Sequence, residues 1–127
     1  MNKPKQTEAQ LHKMVCDYIR TKYPNVIFNS DLSGIKLTIG QATKLKSLRS
    51  SRAFPVAIYE PRGGCHGLFI ELKAEGTKLL KRDGSMATEH IKEQDLMLRS
   101  LIKKGYLCYF AIGFDAAKYF IDNYLKK

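Results

Sequence analysis

Apolar residues recur every three or four positions in three stretches of the chain: residues 6–22, residues 88–104 and the residues after Asp115. This period places the apolar side chains on one face of a helix, so we predict a helix in each stretch. Pro24 ends the first helix, Gly105 ends the second, and Asp115 is the predicted N-cap of the third. The predicted buried faces consist of Leu11, Met14, Val15, Tyr18 and Ile19; of Ile91, Gln94, Asp95, Leu98, Leu101 and Ile102; and of Ala116, Ala117, Phe120, Ile121 and Tyr124.

Shorter apolar runs predict four strands, at residues 26–28, 55–59, 68–73 and 106–112. The connection 60–66 contains a proline and two adjacent glycines, which favour a hairpin, so the second and third strands are predicted to be antiparallel neighbours. The fourth run is nearly all apolar, which predicts a central strand that is covered on both faces. The chain is therefore expected to form one α/β domain.

Two polar segments lie between these elements. Residues 41–50 carry several cations and predict a basic helix. Residues 76–88 contain the turn sequence Asp83-Gly84-Ser85 and predict a loop or a short hairpin arm. This second segment is long for a compact domain. A functional, mobile element and an ordinary surface excursion are both open interpretations of it.

The strand 68–73 contains a carboxylate and an ammonium group within an apolar run. Side chains alternate along a strand, so Glu71 and Lys73 share one face while Leu68, Ile70 and Leu72 line the other. Burying charged groups is costly, and they are usually kept inside for chemistry or for a specific partner. Taken alone, the two side chains can also pair with each other on a solvated face of the sheet.

Composition limits the class of protein. The chain has 127 residues, 44% of them apolar, which suits a single domain over residues 1–127. It has no apolar run of about 18 residues, and its first residues lack the apolar core of a signal peptide, so we expect a cytoplasmic protein. The absence of nucleophile-elbow, Walker, dinucleotide-binding and His-Glu-x-x-His motifs excludes the commoner hydrolase, nucleotide-binding and metalloprotease classes. Cys16, Cys65 and Cys108 match neither a disulfide framework nor a zinc site and are expected to be reduced, two of them in the core.

The charge of the chain is strongly positive and unevenly distributed. The formal net charge is +10, and no acid occurs between Asp31 and Glu60. Cations that lack compensating acids attract polyanions, so we predict that this segment binds nucleic acid. A solvated cationic face and a membrane surface are the alternatives. The predicted nucleic-acid-binding residues are Lys36, Lys44, Lys46, Arg49 and Arg52.

Several short motifs occur in an order that resembles one nuclease family. They are Glu8, Asp31-Leu32-Ser33-Gly34, Phe54-Pro55, the run from His66 to Lys73, Glu93-Gln94 and Gly105-Tyr106. A Glu-x-Lys alone is common, but the combination resembles the VRR-NUC domain, a branch of the PD-(D/E)XK nuclease superfamily. That family occurs as small standalone phage and bacterial proteins and in a eukaryotic crosslink-repair nuclease. The resemblance covers nearly the whole chain and implies a restriction-endonuclease-like fold, with a mixed central sheet flanked by helices.

The resemblance also implies an activity and a set of site residues. It implies a metal-dependent DNA endonuclease that hydrolyses phosphodiester bonds, with branched DNA as a substrate of standalone relatives. Glu71, the backbone carbonyl of Leu72 and Glu8 would hold Mg²⁺ or Mn²⁺. Lys73 would position the attacking water or stabilise developing charge, and Gln94 would orient the phosphate or the nucleophile. Structural alternatives are a first-turn acid for Glu8 and a buried, backbone-bonded residue for Gln94.

One residue departs from the family pattern. In the family a metal-binding aspartate follows the proline of this strand, whereas here Pro55 is followed by Val56. Valine offers no oxygen to a hard cation. If residue 56 lies beside Glu71 on the neighbouring strand, the metal lacks one anionic ligand. The open explanations are a catalytically degenerate DNA-binding module, a substitution introduced into this sequence, or transfer of the ligand role to Asp31 or Glu60.

A homodimer is a further expectation. A chain of this length has an expected radius of gyration of roughly 14 Å, which offers little surface to span a branched duplex alone.

Overall fold

Eight helices and strands make up the described part of the chain. The computed structural model describes residues 6–30, 38–48 and 55–126. Asp31, Lys36, Arg49, Arg52 and the side chain of Lys46 lie outside the described residues. In chain order the elements are α1 (Glu8–Lys22), β1 (Phe28–Asn29), α2 (Ile39–Ser47), β2 (Val56–Ile58), β3 (Leu68–Lys73), α3 (Glu89–Lys103), β4 (Leu107–Ile112) and α4 (Phe114–Leu125).

The strands form one mixed sheet in the order β1-β2-β3-β4. β2 is antiparallel to β1 and to β3, whereas β3 and β4 are parallel. The predicted antiparallel pair and the mixed sheet flanked by helices are therefore confirmed. The prediction that β4 is central is wrong, because within the described residues β4 ends the sheet, whereas β2 and β3 are the inner strands and are fully buried. β4 is apolar because both α3 and α4 pack against it. An apolar strand sequence indicates that both faces of the strand are covered, but it does not indicate whether another strand pairs with each edge.

The two faces of the sheet carry separate apolar clusters. On one face Leu68, Ile70 and Leu72 pack with residues of α1 and α4. On the other face Phe69 packs in a cluster with Leu98 of α3. Because side chains alternate along a strand, the charged residues of β3 belong to the face of Phe69. The sheet thus places them on the side that α3 covers.

Local signals explain where the helices begin. The Thr7 hydroxyl accepts a hydrogen bond from the backbone N–H of Gln10, whose side chain accepts one from the Thr7 N–H, which forms a capping box at α1. Thr88 caps α3 in the same way with its hydroxyl. The cap of α4 is Gly113 rather than the predicted Asp115, because the chain leaves β4 with φ +85°, which side-chain-bearing residues rarely adopt. No helix in the described part of the chain is long and apolar enough to cross a membrane.

Most predicted core positions are buried, with exceptions at the borders of the helical faces. Met14 and Ile102 are 42% and 52% exposed, although the periodicity predicts burial for both. Residues at the edge of an apolar stripe lie at the boundary between core and solvent, where the helical period does not decide burial. Of the three free thiols only Cys108 is buried, whereas Cys16 and Cys65 are half-buried.

A network around Asp122 joins α1 to α4. The hydroxyl groups of Tyr18 and Tyr23 donate to Asp122 Oδ1 at 2.5 Å and 2.6 Å. The ammonium groups of Lys22 and Lys118 lie 3.5 Å from Oδ2. Burial raises the pKa of Asp122, but the two tyrosine hydrogen bonds and the nearby Lys22 outweigh it and lower the pKa to about 2. The carboxylate therefore stays ionised and holds the C-terminal end of α1 against α4.

The polar segment after β3 folds into a short hairpin. The backbone N–H of Ala87 donates to the carbonyl of Leu79 at 2.8 Å, and that of Lys81 donates to Ser85 at 2.8 Å. We call residues 79–87 the arm. It connects the end of β3 to the beginning of α3, and it confirms the hairpin interpretation of this segment.

Candidate active site

Glu71 and Gln94 form a buried hydrogen bond between β3 and α3. Each residue is 2% exposed, and Gln94 Nε2 donates to Glu71 Oε1 at 2.7 Å. Burying a carboxylate is unfavourable unless it is paired or hydrogen-bonded. The amide donor offsets part of that cost. The fold therefore keeps a carboxylate at a position where stability alone would favour an apolar residue.

Lys73 brings an ammonium group to the same strand face. The residue is 5% exposed, and its Nζ lies 3.7 Å from Glu8 Oε1 in the first turn of α1. The backbone carbonyl of Lys73 accepts a hydrogen bond from Gly113 at 2.8 Å, which fixes the end of β3 against the beginning of α4. The four predicted site residues are thus joined in two contacts, and β3 supplies one member of each.

The backbone carbonyl of Leu72 points away from β4. The carbonyls of Gly67 and Lys73 accept hydrogen bonds on the β4 side, and successive carbonyls alternate in direction along a strand. The Leu72 carbonyl therefore points toward the side of β2. In the described residues, the pairing of β2 with β3 ends at Val56 and Ile70, so this carbonyl lies beyond the observed ladder.

The carboxamide oxygen of Gln94 is a buried acceptor. Its Oε1 has no hydrogen-bond partner among the described residues, and the same amide group donates to Glu71. Buried polar atoms are nearly always satisfied, so this oxygen is available to a cation, a water or a ligand donor. The carboxylates of Glu71 and Glu8 and the carbonyl of Leu72 are further oxygen atoms of the predicted site. Hard cations such as Mg²⁺ and Mn²⁺ prefer donors of this type.

Residue 56 lies on the strand next to β3 but is not paired with Glu71. Val56 is opposite Ile70, is 0% exposed and packs in the apolar cluster with α1 and α4. Directly paired residues share a face of the sheet, so Val56 and Glu71 point to opposite faces. Continuing the register by one residue brings Pro55, which is also buried, opposite Glu71. In the described parts of the chain, no three His, Cys, Asp or Glu side chains are grouped closely enough to hold a metal.

Glu60, one of the two carboxylates considered as a substitute ligand, lies away from Glu71. It lies two residues beyond Ile58, which pairs with Leu68, and Leu68 is already about 10 Å along the strand from Glu71 at the usual rise per residue. Its carboxylate accepts a hydrogen bond from Arg62 Nη1 at 2.7 Å. Glu60 therefore does not join the site. Asp31, the other candidate, lies outside the described residues.

His12 borders the site and is not evident from sequence alone. It is 7% exposed, and its Nδ1 lies 2.6 Å from Ser30 Oγ. His12 follows Glu8 by four residues, so the two side chains lie one turn apart on the same side of α1. That spacing is the available signal, because it places a polar residue on the apolar face. The contact fastens Ser30 to α1.

Among the predicted DNA-binding cations, Lys44 is the one whose side chain is described, and it is exposed on α2. Every residue of α2 whose burial is described is exposed. The side chain of Lys46 and the residues Lys36, Arg49 and Arg52 lie outside the described part of the chain.

Comparison with known proteins supports the family suggested by the motifs. No protein-family model matches the chain, and no curated protein matches it. Among solved structures, the chain is similar to one named VRR_NUC domain protein, with a TM-score of 0.68 and 25% sequence identity. The likeness covers 98% of this chain and 92% of the other. Taken with the order of motifs around Glu71, this likeness in fold supports the resemblance to a VRR-NUC domain.

Proposed function

We propose that this chain is a nuclease that hydrolyses phosphodiester bonds in DNA with the help of a divalent cation. The observation that carries the proposal is the buried carboxylate of Glu71, held by Gln94 on the face of β3 that also carries Lys73. Replacing buried ionic groups by apolar ones is often neutral or stabilising. A site that binds a cation and a phosphate gives a reason to retain them. The nuclease-like fold supports the same conclusion.

The oxygen donors fit a hard cation. Glu71, Glu8 and the Leu72 carbonyl would hold it, and the buried oxygen of Gln94 would face it directly or through water. Mg²⁺ is usually bound through one or two carboxylates and keeps several waters, so this donor set is sufficient without a carboxylate at residue 56. When bound, the cation would polarise the phosphate and lower the pKa of a coordinated water.

Lys73 and Gln94 have roles of their own in this proposal. The Lys73 ammonium would stabilise the negative charge that develops on the phosphate, and burial strengthens that interaction. Its contact with Glu8 restrains the direction of the side chain before substrate binds. Gln94 would hold the Glu71 carboxylate in one orientation through its amide, since positioning contributes strongly to rate.

DNA is the proposed substrate because the chain carries a formal charge of +10. Contacts from cations to phosphates release counterions and attract a duplex irrespective of its sequence. Lys44, which is exposed on α2, belongs to the cationic segment between Asp31 and Glu60. We propose that this segment is part of the DNA-binding surface. We also propose that two copies act together on branched DNA, which sedimentation with and without a four-way junction tests.

Cleavage of supercoiled plasmid and of a labelled four-way junction tests the proposal. We expect strand cleavage with Mg²⁺ or Mn²⁺ and none with a chelator. Glu71→Gln should abolish it, whereas the control Glu75→Gln, which changes an exposed carboxylate beyond the end of β3, should retain it. A folded parent protein that cleaves neither substrate with either metal would overturn the proposal.

A DNA-binding module without turnover is the second candidate function. It is favoured by the apolar surroundings of Val56 and by the lack of a group of three carboxylates among the described residues. This candidate predicts equal DNA affinity in the parent and in Glu71→Gln, with no cleavage by either. Metal-dependent cleavage by the parent excludes it.

A further inference from the structure

A groove lies between the arm and the exposed face of α3, on the side of this helix away from the buried Gln94. The arm leads from β3, which carries Glu71 and Lys73, to α3, which carries Gln94. The groove has a volume of about 350 Å³. Both of its walls therefore belong to segments that are connected in sequence to residues of the candidate site.

The cations of this groove are available for binding. Lys81 and Lys92 line it, are exposed and form no ion pair within the described residues. Arg99 also lines it and holds Asp95 through Nε at 2.8 Å. Glu89 is the remaining acid among the lining residues. Unpaired cations thus outnumber unpaired acids along the described lining of the groove.

The acid in the turn of the arm, Asp83, accepts hydrogen bonds within the turn. Asp83 Oδ1 accepts hydrogen bonds from the backbone N–H and the hydroxyl of Ser85 at 2.9 Å and 2.6 Å. These hydrogen bonds lower the pKa of Asp83. The carboxylate stabilises the turn, and the arm presents Lys81 and Arg82 on a defined hairpin rather than on a loose loop.

We propose that this groove binds the phosphate backbone of DNA, an inference that rests on the proposed nuclease function. Lys92 and Arg99 are seven residues apart on α3, which corresponds to about 10 Å at the helical rise. That length corresponds to about three base-pair steps of about 3.4 Å along the axis of a duplex. Contacts to phosphates fix the register of a protein on DNA without reading its sequence. The groove would thus hold the duplex on the protein through its backbone.

A charge-matched pair of variants tests the groove. Lys81→Ala with Lys92→Ala removes two groove cations, and Lys13→Ala with Arg20→Ala removes two cations that pair with Asp17 on α1, on the other side of the sheet. Binding of a fluorescent duplex is measured by anisotropy in Ca²⁺ over a series of salt concentrations. The groove variant should show a shallower plot of log K against log salt, by about 0.9 for each phosphate that it no longer binds. The control should keep the parent slope, and an equal change in both variants overturns the proposal.

A small substrate separates this proposal from the nuclease proposal. Bis(p-nitrophenyl) phosphate, hydrolysed with Mn²⁺, needs the site but is too short to occupy the groove. We expect the groove variant to hydrolyse it at the parent rate while its KM for DNA rises. If the salt slope changes but neither protein hydrolyses the ester or DNA, the nuclease proposal fails and the groove proposal stands. If the folded groove variant keeps the parent slope, the groove proposal fails whatever the cleavage results.

Discussion

Gln94 donates a hydrogen bond to Glu71 at 2.7 Å, and both residues are 2% exposed. Gln94→Leu keeps a side chain of similar size but leaves the buried carboxylate without its amide donor. We expect the free energy of unfolding to fall by about 1–3 kcal/mol, measured by urea denaturation at neutral pH. The control His90→Leu changes an exposed residue of the same helix and should have little effect. Equal stability of both variants and the parent would show that the amide does not hold the carboxylate.

Metal binding to Glu71 should be visible in thermal stability. A ligand that binds only the native state raises the melting temperature, so the parent Tm should rise with Mn²⁺ concentration. Glu71→Gln should abolish this rise, whereas Lys73→Met should keep the rise and abolish cleavage. An identical metal response in the parent and Glu71→Gln would exclude Glu71 as a ligand.

The register of β2 leads to a prediction for Val56→Asp. Val56 lies in the apolar cluster opposite Ile70, so an aspartate there buries a carboxylate on the face away from Glu71. We expect a loss of stability of about 2–4 kcal/mol that Mn²⁺ does not reverse, measured by denaturation with and without the metal. Recovery of stability by Mn²⁺, together with a gain in cleavage of about 100-fold, would instead show that residue 56 can supply a metal ligand.

The cationic segment should determine the salt dependence of DNA binding. Replacing Lys44, Lys46 and Arg49 by Ala should weaken binding to all duplex sequences alike. The salt slope should decrease by about 0.9 for each phosphate that the variant no longer binds. Anisotropy titrations with two unrelated duplexes measure both effects. An unchanged slope would move the DNA surface away from this segment.

Asp122 should contribute stability that depends on pH in the acid range. Its pKa is lowered from 3.8 to about 2 in the folded chain, so its contribution is complete above pH 4 and disappears as the pH falls through 2. Asp122→Asn should lower the free energy of unfolding by about 1–2 kcal/mol at neutral pH. The difference from the parent should shrink between about pH 4 and pH 2. Asp115→Asn, at an exposed position of the same helix, is the control for denaturation at each pH.

The helices and β3 could be predicted from the sequence because their apolar residues recur at regular intervals. The repeating apolar positions of α1 and α3 and the alternation around Glu71 each depend on local sequence, and the structure agrees with them. The family motifs also indicate that Gln94 belongs with Glu71. These features need no information about how distant segments are aligned.

The features that the sequence does not reveal concern relations between segments. The sequence of β4 predicts cover on both faces, but it does not predict how many strands lie beside it. The face of Val56 depends on the register between β2 and β3, where a shift of one residue reverses every side chain. The role of His12 depends on Ser30, which is 18 residues away in the sequence. None of these relations is encoded within a single window of the sequence.

Because Asp122 joins one end of α1 to α4, a movement at that end would displace Glu8, which lies at the other end of α1 in the candidate site. Glu8 and Lys22 are at opposite ends of this helix, about 21 Å apart at the helical rise. A tilt of only about 5° at the Asp122 end would move Glu8 by about 2 Å, and its carboxylate lies 3.7 Å from Lys73 at present. Displacements of about 1 Å can change catalytic rates by about 100-fold. Substitutions at Tyr18 or Tyr23 can therefore change the rate of the proposed reaction by displacing Glu8 at the opposite end of α1.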